Sequence, residues 1–311
     1  MQGRAERPRI DQIEKVIVVG SGKGGVGKST VSVNLAVALA KRGARVGLLD
    51  GDAYGPSVPM MLGVRKRGAS QGWSATLPLG QRGSLPPEQM LKPLVRYGVE
   101  VMSVGFFIGE EQLVAPMPDV LGVLIRQLLY TIYWGPLDYL IIDLPPGNGE
   151  PQATLCRELH LDGAILVTTP QDIARIDTAK GLGMFQSAGV PVLGLVQNMS
   201  GFVCPHCGEH IDIFPTSLEY RALLDELPLL GAIPLDPATA VSGDTGQPVV
   251  VRMPESAVAQ AFGCIAEKIA GMVEMGQPET NMRTPEKEDE SGKTDEKRLD
   301  REEGSRRNEY P

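Results

Sequence analysis

The sequence predicts an α/β fold in which helices cover both faces of a doubly wound, mostly parallel sheet. Two observations carry this prediction. Several short segments are apolar throughout, which is typical of strands that are buried on both faces. Stretches with helical spacing separate these segments, as connections between parallel strands require. The predicted strands cover residues 15–20, 45–50, 99–104, 139–143, 164–168 and 192–197.

One large domain between two polar ends is the predicted organisation of the 311-residue chain. We expect a flexible N-terminus at residues 1–14 and a compact domain at residues 15–275. Residues 276–311 are charged and poor in large apolar side chains, which predicts a disordered tail. Within the domain, residues 65–87 are rich in Gly, Ser, Pro and Gln and read as a long surface excursion.

Composition argues against several classes of partner. The formal net charge of -8 disfavours binding to nucleic acid or to an anionic membrane face. No segment approaches the roughly 18 consecutive apolar residues that a membrane span needs, and the first residues lack the apolar core of a signal peptide. With only 4 cysteines, a disulfide scaffold is not expected. These features predict a cytoplasmic protein with reduced thiols.

A glycine-rich loop joins the first predicted strand to a predicted helix. It satisfies the P-loop pattern G-x-x-x-x-G-K-S/T in the strand-loop-helix context that the pattern requires. The residues predicted to bind the nucleotide are Gly22, Lys23, Gly24, Gly25, Val26, Gly27, Lys28, Ser29 and Thr30. We expect backbone N–H groups to surround the phosphates of ATP, with Lys28 on the β- and γ-phosphates and Ser29 on Mg²⁺. The fold class is then that of a P-loop NTPase, and the chain is expected to be an ATPase.

Three aspartates follow the predicted strands at the edge where open α/β sheets place their ligands. Asp50 and Asp52 end the second strand, and Asp143 ends the strand at residues 139–143. We predict that Asp143 holds Mg²⁺ through water and that Asp52 positions the attacking water, with Asp50 in support. The alternative is that one of these side chains only caps a helix or a turn.

Asn198 follows the predicted strand at residues 192–197 and is a candidate for recognising the adenine base of the nucleotide. A side-chain amide both donates and accepts hydrogen bonds, as the edge of the base requires. Asparagine is also common as a turn residue at strand ends, so the sequence leaves both interpretations open.

A C-x-x-C segment, Cys204 to Cys207, follows in a predicted loop. Such a turn directs two sulfurs to one side and supplies two of the four ligands that Zn²⁺ or an iron-sulfur cluster takes. Cys156 and Cys264 lie in apolar helical surroundings and are expected to be buried thiols. A full ligand set then requires a second copy of the chain across a two-fold axis. Two alternatives remain, a zinc site that adds His210 and a redox dithiol.

The order of these motifs resembles the Mrp/ApbC family of P-loop iron-sulfur carriers, within the MinD/ParA class that has a deviant Walker A loop. The segments that carry the resemblance are Ser21 to Thr30, Asp50 to Ser57, Asp138 to Gly147, Thr168 to Gln171, Gln197 to Ser200 and Cys204 to Gly208. They span nearly the whole predicted domain.

The resemblance implies a homodimer in which Lys23 reaches the nucleotide of the other subunit. It also implies a labile 4Fe-4S cluster on the paired Cys204 and Cys207, delivered to apo iron-sulfur proteins. Slow ATP hydrolysis, with Lys23, Lys28, Asp52 and Asp143 as the catalytic set, would accompany loading or release.

Two other functions compete with this one. A MinD/ParA-like ATPase switch would need an amphipathic membrane helix or a basic surface for DNA, and the acidic sequence shows neither. A P-loop ATPase with a structural zinc ion at Cys204 and Cys207 is the second competitor.

Overall fold

A computed structural model describes residues 7, 9–10, 12–64, 90–107, 128–204, 206–214 and 227–274. The predicted excursion at residues 65–87 and the predicted tail at residues 276–311 lie outside the described residues, as does most of the predicted N-terminal segment. The domain boundaries therefore stay predictions.

The described residues form a 9-stranded sheet in the order β3-β4-β2-β5-β1-β6-β7-β8, and β9 pairs with β7. Most pairs are parallel, whereas β3 and β8 join their neighbours antiparallel at the edges. The strands are β1 Ile13–Gly20, β2 Val46–Asp50, β3 Leu94–Arg96, β4 Val99–Ser103, β5 Leu137–Asp143, β6 Gly163–Thr168, β7 Val192–Val203, β8 His210–Ile211 and β9 Leu229–Leu235.

Helices cover both faces of this sheet, which confirms the predicted doubly wound fold. The helices are α1 Lys28–Lys41, α2 Val58–Met61, α3 Glu150–Glu158, α4 Asp172–Ser187, α5 Pro237–Asp244, α6 Val249–Arg252 and α7 Ala257–Glu274. Residues 16–19 of strand β1 show why a strand in the middle of this sheet is apolar on both faces. Ile17 and Val19 face the core beneath α1 and α7, whereas Val16 and Val18 face the opposite core beneath α3 and α4.

The described part contains no helix that is both long and apolar enough to cross a membrane.

All six predicted strands are present, but β7 is longer than predicted. It continues to Val203 because β8 and β9 pair with its second half. Asn198 therefore lies inside a strand, and its prediction as a strand-closing residue is wrong. The pairing with β9 shifts register just after Asn198, where Met199 takes a left-handed backbone with φ 57°. Strands β3, β8 and β9 were missed. Strands β3 and β8 are only two or three residues long, and Gly231 and Pro234 interrupt the apolar pattern of β9.

Candidate functional site

The P-loop lies in the middle of the sheet, at the carboxyl ends of the parallel strands. It leaves β1, which is flanked by β5 and β6, and enters α1 at Lys28. Asp50 and Asp143 end neighbouring strands and are direct register partners. The topology therefore brings the loop and the predicted carboxylates to one edge, as the strand pattern implied.

Three glycines of the loop have a backbone conformation or a close neighbour that disfavours any other residue. Gly25 and Gly27 have left-handed φ angles of 81° and 83°. At Gly22, an added Cβ would lie 2.1 Å from the carbonyl oxygen of Asp177, so the loop rests directly on α4. No side chain caps the N-terminus of α1. Its first N–H groups are therefore available to an anion.

Lys28 lies buried among carboxylates at the start of α1. Its Nζ is 2.9 Å from Asp143 Oδ2 and 3.6 Å from Asp52 Oδ2. Burial lowers the pKa of Lys28, but Asp143 and Asp52 outweigh this effect and the pKa is raised. The ammonium group therefore stays charged and is already compensated by two acids.

Asp143 is fully buried and accepts hydrogen bonds at both of its carboxylate oxygens. Ser29 Oγ donates to Oδ2 at 2.6 Å, and Ser32 Oγ donates to Oδ1 at 2.6 Å. The pairing of the Ser29 hydroxyl with a carboxylate gives the hard oxygen donors that Mg²⁺ prefers, so these residues fit that ion. Ser32 was not among the predicted residues. Its spacing of one helical turn from Lys28 is the signal that could have found it.

Asp50 is fully buried, like Asp143. Its carboxyl group accepts hydrogen bonds from Ser103 Oγ at 2.9 Å and from the backbone N–H of Asp52 at 3.1 Å. Burial, with a contribution from the charge of Asp143, raises the pKa of Asp50 to about 8. The site thus holds three acids around one ammonium group, and Asp50 keeps its proton at neutral pH. Ser103 was not predicted from the sequence.

Asp52 opens the loop that follows β2. Its Oδ1 accepts from the N–H groups of Tyr54 at 3.1 Å and Gly55 at 3.3 Å, which fixes a turn. Burial raises the pKa of Asp52, and the nearby Lys28 opposes that shift. The predicted water-positioning carboxylate is therefore close to Lys28 while also holding its own loop in place.

Lys23 contacts its own chain in this structure. Its Nζ donates to Gln171 Oε1 at 3.2 Å, and Gln171 immediately precedes α4. The loop after β5 lies against the start of the P-loop, since Gly147 N–H donates to Ser21 O at 3.0 Å. Gln152 holds that loop by donating to Pro146 O at 2.8 Å. Neither glutamine was predicted as part of the site.

Asn198 lies directly against the P-loop. Its Nδ2 donates to Val26 O at 2.9 Å, and an added Cβ on Gly27 would lie 2.2 Å from the same nitrogen. One amide N–H is therefore engaged with the loop backbone. The role of Asn198 in adenine binding stays a prediction.

The C-x-x-C pair lies at the tip of the hairpin formed by β7 and β8. Gly208 N–H donates to Cys204 O at 2.9 Å, and Cys204 N–H donates to Glu209 O at 2.9 Å. Cys204 is half-buried and Cys207 is exposed. Hydrogen bonds from the N–H groups of Cys207 and His206, together with the thiol of Cys207, lower the pKa of Cys204. A lowered pKa favours the thiolate, which is the form that binds metals.

The other two cysteines behave differently from each other. Cys156 is buried, and burial raises the pKa of its thiol to about 12. Cys264 is exposed, so the prediction that it is a buried thiol is wrong. Helix α7 buries one stripe that includes Phe262, Ile265 and Ile269, and Cys264 lies off that stripe.

Among the described residues, no group of three or more His, Cys, Asp or Glu side chains is placed to hold a metal ion. The side chain of His210, the third ligand of the alternative zinc site, lies outside the described residues.

Comparison with known sequences gives one consistent family. The ParA family described as NUBPL iron-transfer P-loop NTPase matches residues 12–270. The chain is 45% identical over 272 residues to an iron-sulfur cluster carrier protein of Synechocystis sp., covering 87% of this chain and 74% of the relative. It is 41% identical over 271 residues to the iron-sulfur cluster transfer protein NUBPL of Mus musculus, covering 86% and 80%.

Solved structures with the same fold include nucleotide-binding proteins. A nucleotide-binding protein from Archaeoglobus fulgidus in complex with ADP is 34% identical with a TM-score of 0.65, covering 82% of this chain and 94% of that one. The cell division ATPase MinD of Pyrococcus furiosus is 28% identical with a TM-score of 0.62, covering 83% and 99%.

Proposed function

The chain belongs to the family of NUBPL iron-transfer P-loop NTPases, and from this premise we propose that it is an ATP-dependent iron-sulfur cluster carrier. Two copies hold one labile 4Fe-4S cluster as cargo and deliver it to apo iron-sulfur proteins. The observation that carries the proposal is the placement of Cys204 and Cys207 together at an exposed hairpin tip. The proposed setting is the cytoplasm, where thiols stay reduced.

The cysteine pair supports a cluster shared between two chains. Two thiolates per chain provide half of the four ligands that a 4Fe-4S cluster takes. The hairpin beside them exposes apolar side chains, with Val203 39%, Ile211 47% and Ile213 39% accessible. Apolar surface next to an incomplete ligand set favours a second copy of the chain as the source of the other two sulfurs.

The proposed binding of ATP and Mg²⁺ rests on the side chains of Lys28, Ser29, Asp52 and Asp143, which meet at the P-loop. Ser29 and Asp143 would hold Mg²⁺, and the bound ion would supply positive charge beside the phosphates. Lys28 would leave its carboxylate partners to bind the β- and γ-phosphates, while Asp52 orients the attacking water. Each of these side chains lies within hydrogen-bond or ion-pair reach of another member of the cluster.

We further propose that hydrolysis is slow because each site is incomplete until two chains meet. In a single chain, the ammonium group of Lys23 is hydrogen-bonded to Gln171 of that same chain. In the proposed dimer it serves the nucleotide of the partner. ATP binding would then favour one dimer geometry, and hydrolysis would reset it.

Strand β7 offers a physical connection between nucleotide and cargo. Asn198 contacts the P-loop at Val26, and the same strand ends at Val203, immediately before Cys204. A change in the P-loop that moves Asn198 would therefore be passed along the strand to the hairpin that carries the cysteines.

Anaerobic reconstitution with iron and sulfide tests the proposal. Wild-type protein should become brown and contain about four iron per two chains, with both lost in Cys204→Ser/Cys207→Ser. The matched control is Cys264→Ser. It removes an exposed thiol that lies in α7, outside the β7–β8 hairpin, and it should leave cluster uptake unchanged. Colourless wild-type protein with stoichiometric zinc would instead favour the zinc-bearing ATPase.

The likeness to MinD keeps an ATPase switch as a second candidate function. A MinD- or ParA-like switch would bind liposomes or DNA when loaded with ATP, whereas the proposed carrier has neither membrane nor nucleic acid as a partner. Cosedimentation with anionic liposomes and with duplex DNA, each with ATP and without it, separates the two functions.

A further inference from the structure

A buried hydroxyl beneath the P-loop contacts the carboxylate assigned to Mg²⁺. Ser32 lies in α1 and is fully buried. Its Oγ is 2.6 Å from Asp143 Oδ1 and 3.1 Å from Lys28 O. A hydroxyl has one hydrogen to donate, and the shorter contact to the charged oxygen is the stronger hydrogen bond.

The other two partners of Asp143 differ from Ser32 in one respect. Ser29 and Lys28 both contact Oδ2, at 2.6 Å and 2.9 Å. P-loop chemistry directs these same two side chains to the metal and to the phosphates. When they turn to a nucleotide, Asp143 loses both contacts at Oδ2. Ser32 lies one turn farther along the helix, and the P-loop pattern assigns it no contact with the metal or the phosphates.

We propose that Ser32 is a positioning residue for the metal site. By holding Oδ1, it keeps the Asp143 carboxylate in one orientation after Ser29 and Lys28 have moved to the nucleotide. Oδ2 would then stay available to the proposed Mg²⁺ site. Hydrogen bonds to carboxylates near metal sites typically change metal affinity by about 10–100-fold. This inference rests on the proposed binding of Mg²⁺ and ATP.

The test compares nucleotide affinity with and without the metal. A fluorescent ATP analogue is titrated into Ser32→Ala in EDTA and at increasing Mg²⁺. In EDTA the affinity should stay within about two-fold of wild type, because Ser32 has no direct contact assigned with the phosphates. The Mg²⁺ concentration for the half-maximal gain in affinity should rise by about ten-fold or more.

A matched control is available in Ser242→Ala. Ser242 is also fully buried, and within the described part of the chain its hydroxyl has no hydrogen-bond partner. This variant makes the same chemical change in α5, where the hydroxyl hydrogen-bonds to no described residue of the site, and its Mg²⁺ titration should superimpose on that of wild type. If Ser32→Ala fails to fold, Ser32→Cys keeps a weak donor of similar shape and should show a smaller selective shift.

Three results would overturn the role of Ser32. One is a folded Ser32→Ala with the wild-type Mg²⁺ titration. Another is an equal loss of affinity in EDTA and in Mg²⁺, which would indicate general damage to the P-loop. A third is a wild-type protein that binds ATP without any effect of Mg²⁺, which would reject the proposed metal site together with this inference. The wild-type titration thus separates failure of the site from failure of Ser32.

Discussion

Substitution of Asp50 by asparagine should change how the stability of the nucleotide-free protein depends on pH. Asp50 is fully buried and, chiefly because of that burial, has its pKa raised from 3.8 to about 8. Between these values the folded chain keeps the proton whereas the unfolded chain has released it. The free energy of unfolding therefore falls as pH rises, by about 1.4 kcal/mol per pH unit from this group.

Asp50→Asn removes this contribution while preserving the shape of the side chain. The side-chain amide oxygen of the asparagine can still accept from the N–H of Asp52. Its NH₂ group can donate to Ser103 Oγ, which donates in wild type and would accept in the variant. The variant should therefore gain stability over wild type as pH rises. From about pH 5 to pH 8, the difference in unfolding free energy should grow by roughly 3–4 kcal/mol.

Urea unfolding without Mg²⁺ or nucleotide, at constant ionic strength, measures this difference. Asp138→Asn serves as the control because hydrogen bonds from Arg45 lower the pKa of Asp138. That carboxylate is ionised in both states over the same range, so its variant should differ from wild type by a constant amount. A constant difference for Asp50→Asn as well would refute a protonated Asp50.

The P-loop gives three further predictions. Gly22→Ala should abolish ATP binding, because its Cβ would lie 2.1 Å from Asp177 O. Gly24→Ala is the matched control, because its Cβ would meet only Pro146, at 3.9 Å. A titration with a fluorescent ATP analogue should show Gly24→Ala binding within a few-fold of wild type. Lys28→Ala should weaken ATP binding by about 10- to 100-fold, as expected for a charged hydrogen bond to phosphate, and calorimetry checks this. Lys23→Ala should bind ATP with near wild-type affinity but lose ATP-dependent dimerisation and hydrolysis, which light scattering and phosphate release measure; unchanged hydrolysis would contradict the proposed role of Lys23 across the dimer.

The sequence predicted the fold well because buried parallel strands have a direct signature. Residues 139–142 of β5 and 163–167 of β6 carry no charged side chain and are buried, since side chains on both faces of the sheet enter a core. The P-loop pattern and the aspartates at strand ends were likewise visible, because parallel strands bring their carboxyl ends to one edge. The structure places Lys28, Asp52 and Asp143 together there, while their assigned roles in hydrolysis stay predictions.

The parts that were missed depend on contacts between distant segments. Ser103 and Gln171 contact site residues from distant segments, and no spacing in the sequence connects them to those residues. Ser32 reaches the distant Asp143, and its spacing from Lys28 was the available signal. The extension of β7 was missed because pairing with β8 and β9, rather than local composition, holds it extended. Cys264 was misjudged because apolar neighbours in sequence do not fix the face of a helix on which a residue lies.

Cluster transfer from a reconstituted dimer tests whether two chains hold one iron-sulfur cluster and deliver it. Native mass spectrometry first determines the cargo of the anaerobically loaded protein, which is then mixed with an apo-enzyme whose activity requires a 4Fe-4S cluster. We expect one cluster per two chains and recovery of enzyme activity, both lost in Cys204→Ser/Cys207→Ser and retained in Cys264→Ser. A metal held by single chains, or a loaded dimer that activates the apo-enzyme no faster than free iron and sulfide do, would contradict this expectation.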